Sequence, residues 1–281
     1  MQLRLGELYH KLAREFASID DVYPDLRYII CFVLGISPTE FIANSHMVPH
    51  ERYVKDIYQI LRNRAAGIPL AYILKKQNFY GLDFHVTQDV LIPRPETELL
   101  VESAIAFIGQ RPHSILEIGA GSGCVSITLK KNCPHITIQA WDISEPALKV
   151  AKQNADFHEV DVEFVNCDAL DGHAWVSCQE KFDLIIANPP YISTSEARQM
   201  SNEVLGFEPH LALFAEDDGL AFYKMMVEHA IDVMQPNAAL ICEIGYQQGR
   251  KVREIFEKSG WTVSVKKDYA GHDRNIIARP G

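Results

Sequence analysis

From about residue 114 onward, short apolar runs alternate with stretches whose apolar residues recur at helical spacing. The runs near 114, 136, 162, 183, 238, 261 and 274 read as strands, and most of the intervals between them read as helices. That alternation predicts a mostly parallel, Rossmann-like sheet of seven strands, covered by helices on both faces, with ligands gathering at the strands' carboxyl ends. The chain ahead of it follows another pattern. Residues 1–75 read as a small helical domain: LGELYHKLAREF, PDLRYIICFVLG, a segment opening at Ser37, and a longer one near 50–66. Ser37-Pro38-Thr39-Glu40 has capping-box spacing with proline in the first turn. Val54, Ile57, Tyr58 and Leu61 share one helical face, and Gly67 with Pro69 stops the pattern.

Between these parts, residues 76–93 read as a linker hairpin, since NFYGLDFHVTQDVLIP alternates around Gly81. Residues 94–281 then form the α/β domain. Its first helix opens at Arg94-Pro95-Glu96-Thr97-Glu98, where acids in the first turn suit the helix dipole with no ligand present. A long connection, STSEARQMSNEVLGFEPHLALFAEDD, separates the turn at Asn188 from a helix expected near Gly219. Connections longer than about 15 residues in a compact domain are usually functional or disordered, and this one reads as a lid, partly helical at Glu196 to Met200.

Two strand ends carry candidate chemistry. FDLIIANPPYI, 182–192, is an apolar run that stops at Asn188-Pro189-Pro190-Tyr191, because prolines cannot continue a central strand. The prolines hold the backbone in one direction, so the carbonyls and the Asn188 amide form a rigid row of acceptors beside an aromatic face. Such a row suits a planar NH2 group: the Asn188 oxygen and a backbone carbonyl each accept one N–H, and Tyr191 stacks on the plane. A proline-stiffened turn with a core tyrosine is the plainer alternative.

Upstream, SILEIGAGSGCVSITLKK reads as strand, glycine turn and helix. Gly119, Ala120, Gly121, Ser122 and Gly123 form the turn, which permits close approach by a ligand near unpaired helix N–H groups. A dinucleotide fingerprint requires its third glycine where Cys124 stands, and the Gly-Lys-Ser/Thr of a phosphate loop is absent. Glu117, just before the turn, would repel a pyrophosphate but accept the ammonium and sulfonium of S-adenosylmethionine. The next strand ends in Asp142, placed to accept both hydroxyls of a ribose; Ser144 makes the better N-cap of the following helix, with Pro146 in its first turn. Asp168, ending the third strand, is a candidate acceptor for an adenine amino group or a surface turn aspartate.

Composition narrows the partners. With 281 residues and a formal net charge of −10, the chain is poorly suited to holding nucleic acid by phosphate neutralisation, and a basic protein partner is the better match. The six cysteines are scattered without CxxC and the eleven histidines show no ligand spacing, so neither a metal site nor a disulfide framework is expected. No apolar run approaches the length of about 18 residues that spans a bilayer, and the amphipathic N-terminus is unlike a targeting signal, so a cytoplasmic protein away from membranes is expected.

Taken together, LIPRPETE (91–98), LEIGAGSG (116–123), Asp142, NPPYI (188–192), FEPHLAL (207–213) with DGL (218–220), CEIGYQQG (242–249) and DYAGHDR (268–274) resemble the HemK/PrmC family of class I S-adenosylmethionine-dependent methyltransferases. The resemblance implies N(5)-methylation of the glutamine in the Gly-Gly-Gln motif of class 1 peptide chain release factors, yielding S-adenosylhomocysteine. It implies that Gly119 to Gly123 cradle the methionine part of the cofactor, Asp142 holds the ribose, and Asn188 to Tyr191 hold the substrate glutamine. It also implies that the helical domain helps recognise the protein substrate; a monomer is expected. Two departures stand out: Phe214-Ala215-Glu216 replaces a glycine-rich stretch, and Ala169-Leu170 follows Asp168 where the family often has an aromatic over the adenine. The Asn-Pro-Pro-Tyr element alone also fits an adenine-N6 DNA or RNA methyltransferase acting on a flipped base, or a methyltransferase for another protein's glutamine.

Overall fold

The computed structural model describes residues 3–281, so the first two residues of the expected helical domain lie outside the described residues. The chain divides into two compact units, one ending at Leu74 and one spanning Lys75–Gly281.

In the first unit, helices Leu5–Glu15, Val22–Leu34, Pro38–Ala43 and Glu51–Ala65 enclose a core that includes Leu8, Leu12, Leu26, Ile30, Phe41 and Leu61. The capping box forms: the Ser37 hydroxyl accepts from the Glu40 amide at 3.1 Å, and the Glu40 carboxylate accepts from the Ser37 amide at 2.8 Å. Ile57 and Leu61 are fully buried, with Val54 and Tyr58 packed beside them. Two boundaries differ from expectation. The second helix starts at Val22, carrying Pro24 within its first turn, where a missing N–H costs nothing. A further short helix, Leu70–Leu74, follows Pro69.

The second unit opens with a hairpin of β1 (Gln77–Phe79) and β2 (Leu82–Phe84), paired antiparallel around Tyr80 and Gly81. Both turn residues have positive φ, as a two-residue hairpin turn demands. The hairpin expected to run to residue 93 stops at Phe84, and 85–94 is irregular. Phe79 and Phe84 leave it to pack under the sheet.

Seven strands follow: β3 (Ser114–Ile118), β4 (Thr137–Asp142), β5 (Glu163–Asn166), β6 (Phe182–Ala187), β7 (Met234–Glu243), β8 (Thr262–Lys267) and β9 (Asp273–Arg279). Their order is β5-β4-β3-β6-β7-β9-β8, with β9 alone running against its neighbours. Central strands alternate between two apolar faces. Leu116, Ile118, Ile185 and Leu240 join one core with Trp175, Tyr223 and Phe256, whereas Ile115, Leu184, Ile186 and Ile241 join another with Leu100, Val125 and Ile127. A strand apolar on both faces can only be buried on both, so helices lie on each side. Chain direction reverses its winding between β3 and β6, and a crevice opens there at the carboxyl ends.

The connection after β6 is more ordered than the lid expected from sequence. Beyond the short 3-10 helix Thr194–Gln199, it contains helix Asn202–Phe207 and 3-10 turn His210–Ala212 before the turn at Glu216–Gly219. Ser193 and Glu196 form a capping box and Ser201 caps the next helix. Ile192 bridges to Phe214, so the two ends of the segment are pinned together.

Candidate functional site

The glycine loop hangs from the neighbouring strand. The amides of Gly119 and Ala120 donate to the Trp141 carbonyl at 2.9 and 3.0 Å, and the Gly121 amide donates to Asp142 Oδ2 at 2.8 Å. Gly121 has φ +53°, and a Cβ there would meet nothing within 4 Å; the backbone angle restricts the position, and the space above it stays open. Asp142 Oδ1 accepts from the Ser144 amide at 2.9 Å, while Ser144 caps helix Glu145–Phe157 through the Ala147 amide. Both Asp142 oxygens are thus already used once by backbone. The carboxylate ties loop to strand, and each oxygen keeps a second lone pair for a ligand.

Glu117 is 3% exposed and lines the cleft above this loop. It accepts hydrogen bonds from the Ser126 amide and hydroxyl on the helix that follows. Burial nonetheless outweighs those bonds and pushes its carboxyl up to about 8, with the Asp142 charge adding to the effect. A neutral acid that becomes a carboxylate when a cation arrives is a natural receptor for one.

Across the crevice, β6 delivers Asn188, Pro189 and Pro190 into the same open cleft. The pairing of Ile118 with Ala187 sets Gly119 beside Asn188, whose carbonyl lies 3.8 Å from where a Gly119 Cβ would be. Asn188 Nδ2 donates to Thr97 Oγ1 at 3.0 Å, and Thr97 Oγ1 donates to Glu243 Oε2 at 2.8 Å. Tyr191 follows, half-buried and outside the lining of the cleft; its ring packs against the core that includes Tyr223 and Ile244, and its hydroxyl donates to Glu243 Oε1 at 3.4 Å. Burial, with Glu243 close by, pushes its phenol upward. Asp168 is exposed at the rim of the cleft, where its Oδ1 accepts from the Leu170 amide.

Around the turn, Gln248 Oε1 accepts from the Gly245 amide at 3.0 Å and its Nε2 donates to the Tyr191 carbonyl at 2.9 Å. Gly219, at φ +80°, packs so closely on that carbonyl that any Cβ would overlap it. Arg94 pairs with the buried Glu208 at 2.5 Å, and the other Glu208 oxygen accepts from the Ile92 amide. The segment before the glycine loop and the connection after β6 are therefore joined at the cleft, which Arg94 and Pro209 both line.

Thr97, Glu208, Glu243 and Gln248 received no role from sequence reasoning. Each lies inside a motif that carries the family resemblance, but the partners that tie them to the cleft stand 52 to 146 positions away, beyond any local pattern. Among the described residues, no cluster of three or more His, Cys, Asp or Glu could hold a metal, and no helix is long and apolar enough to cross a membrane. All six cysteines are free.

Solved structures of methyltransferases share this architecture. A methyltransferase from Pyrococcus furiosus matches with a TM-score of 0.53 at 19% identity, covering 79% of this chain and 95% of that one. The ribosomal protein L11 methylase of Lactobacillus delbrueckii subsp. bulgaricus matches with 0.50 at 17%, covering 73% and 90%. Residues 95–205 also match the methyltransferase small domain, and with that match the chain is a methyltransferase. The helical unit is more specific: residues 7–74 match the PrmC N-terminal domain. The release factor glutamine methyltransferase of Streptococcus pneumoniae is 36% identical over 285 residues, 99% of each chain, and that of Lactococcus lactis subsp. lactis 40% over 231 residues, covering 82% and 84%. The chain belongs to the release factor glutamine methyltransferase family.

Proposed function

We propose that the protein methylates the side-chain amide nitrogen of the glutamine in the Gly-Gly-Gln motif of class 1 release factors, in the cytoplasm and as a monomer, with S-adenosylmethionine as donor. The observation that carries this reading is the single cleft shared by the glycine loop and the Asn188 turn. The residues present fit the donor. Open space above Gly121, an acid at Glu117 suited to a cation, lone pairs on Asp142 suited to ribose hydroxyls, and Asp168 at the rim for the adenine would together hold it. When bound, S-adenosylmethionine supplies an electrophilic methyl group and leaves as the thioether S-adenosylhomocysteine.

The protein's own residues handle the acceptor. An amide nitrogen is a weak nucleophile because its lone pair is delocalised into the carbonyl, so the site gains rate by alignment. Asn188 Oδ1 and the Pro189 carbonyl accept the two N–H bonds of the glutamine and aim its nitrogen toward the glycine loop. The Tyr191 ring, tethered by its hydroxyl to Glu243 and by its carbonyl to Gln248, offers a fixed face for the amide plane. No strong base adjoins Asn188, and the proton leaves to water after transfer. The adenine reading shares the turn, but the net charge of −10 argues against holding nucleic acid by phosphate neutralisation, and the helical unit matches the PrmC N-terminal domain.

The test is transfer of labelled methyl to a purified class 1 release factor, beside the same factor with its glutamine replaced by alanine and beside unmethylated DNA. Label on the native factor alone is expected. Label on DNA alone would replace this reading with the adenine one.

A further inference from the structure

Thr97 and Glu243 touch neither the glycine loop nor, by the reading above, the substrate, yet both are 2% exposed and joined in one chain of hydrogen bonds to Asn188. The direction of that chain follows from chemistry. An ionised carboxylate only accepts, so the single Thr97 hydroxyl proton goes to Glu243. Thr97 then has only lone pairs to offer Asn188, and the Asn188 amide must turn its NH2 toward Thr97. Its Oδ1 becomes the acceptor left for a ligand in the cleft. An asparagine free to flip would present a donor half the time and would receive a carboxylate as readily as an amide.

We propose that Glu243 and Thr97 are positioning residues that lock the polarity of the Asn188 amide, so that the site accepts the NH2 of glutamine and rejects the carboxylate of glutamate. The proposal rests on the glutamine reading and extends it to specificity. A second tie strengthens it: Tyr191 donates to the same carboxylate, and the Tyr223 hydroxyl pins the Glu243 backbone carbonyl at 3.0 Å. Both elements assigned to the substrate thus depend on one buried acid.

The groups around Glu243 make the lock sensitive to pH. Thr97 and Tyr191 hydrogen-bond to it, Arg274 on β9 favours its charge, Glu96 on the turn before the first domain helix opposes it, and Cys242 adjoins it on its own strand. Arg274 is itself shared with Asp268, and Arg94 bears on Tyr191. Burial is the largest influence and moves the carboxyl from 4.5 up to about 7. Below that pH the acid can donate to Thr97, which frees the Thr97 proton for Asn188 Oδ1 and unlocks the amide.

Two measurements test this separately from the substrate reading. In 15N-resolved spectra of the full protein, the Asn188 side-chain NH2 pair, assigned by its loss in N188A, should titrate with a midpoint near 7. It should stay flat in E243Q and T97V. In methyl transfer to a release factor, T97V and E243Q should lower kcat by about 100-fold, the cost of losing one oriented polar contact, while S-adenosylmethionine affinity holds within about twofold. T97S, which keeps the hydroxyl, should stay within about threefold of wild type. Discrimination between the native factor and one carrying glutamate at the target should fall at least about tenfold in T97V and E243Q. A flat Asn188 signal in the wild type, or unchanged discrimination in T97V with cofactor binding intact, overturns the lock. A titrating Asn188 in a protein that transfers nothing to release factors supports the lock and overturns the choice of substrate.

Discussion

Replacing Glu117 with glutamine should uncouple donor binding from protons. In the free protein the Glu117 carboxyl stands at about 8, so at pH 7 it is about nine-tenths protonated. An opposite charge within about 4–6 Å lowers a carboxyl by about 1–3 pH units, which would bring the liganded value to between about 5 and 7. Binding at pH 7 then releases about 0.4–0.9 proton, and affinity rises about 5- to 50-fold between pH 6 and pH 8. The sign is fixed by the cause: the ligand favours the ionised form, so removing protons assists binding. Calorimetric titration of S-adenosylmethionine in two buffers of different ionisation enthalpy counts the protons directly. Running E117Q in parallel subtracts the ligand's own amine, and glutamine keeps an oxygen to accept from the Ser126 amide. The same substitution should alter stability. Because the folded value is raised from 4.5 to about 8, the folded protein holds a proton that the unfolded chain releases, so stability falls as pH rises across that window, by an amount of order 5 kcal/mol. E117Q should flatten that fall. Equal proton release by wild type and E117Q would refute the placement of a cationic group beside Glu117.

Other substitutions separate the parts of the site. Asn188→Ala should reduce turnover by about 100-fold or more while S-adenosylmethionine affinity changes little; equal loss of both would sink the division between donor and acceptor sides. Gly219→Ala forces a Cβ into the Tyr191 carbonyl at a positive φ, and thermal unfolding should show a loss of about 1–3 kcal/mol together with reduced turnover. Arg94→Met leaves the buried Glu208 carboxylate unpaired and should destabilise the protein by about 3–5 kcal/mol, whereas the double variant with Glu208→Gln should recover much of it; additive losses in denaturant titrations would show that the two do not interact.

How much was legible in the sequence depended on the range over which each feature is specified. The strands could be placed because each apolar run is bounded by glycine, proline or an acid within a few residues, and the Ser37 capping box because its partners are three apart. The backbone turns at Gly119 to Gly123 and at Asn188 to Pro190 were visible for the same reason. The hairpin was read too long because alternation continues through Val86 and Val90, which are buried individually without pairing as strand. Order in the connection after β6 was announced by Ser193-Glu196 and Ser201, helix-capping signals that short segments make easy to pass over. Asp142 looked free because Ser144 takes the cap; the Ser144 amide that one oxygen receives is a local contact two residues on, whereas the Gly121 amide at the other depends on β4 lying beside β3. Thr97, Glu243 and Asn188 are invisible as a unit until the first domain helix, β6 and β7 are brought together.

Strand order explains why the donor and acceptor sides of such a reaction belong on β3 and β6. In-line displacement needs the reacting atoms about 3–3.5 Å apart before the barrier is climbed. Adjacent strands lie about 4.8 Å apart, and their carboxyl ends meet a ligand from the same edge. Here the last paired residues are Ile118 and Ala187, so the chain leaves the sheet as Gly119 on one strand and as Asn188 on the next, at equal height. Both faces of β6 are apolar, so its register is held by the fit of each side chain to its own core, and a slip of two residues would move one end by about 6.6 Å. A slip of that size would carry the proposed amide grip beyond reach of the loop. By the proposed division of roles, the apolar side chains of Leu184, Ile185 and Ile186 that hold β6 in register on two cores are therefore as necessary to the chemistry as Asn188, though none of them touches the cleft.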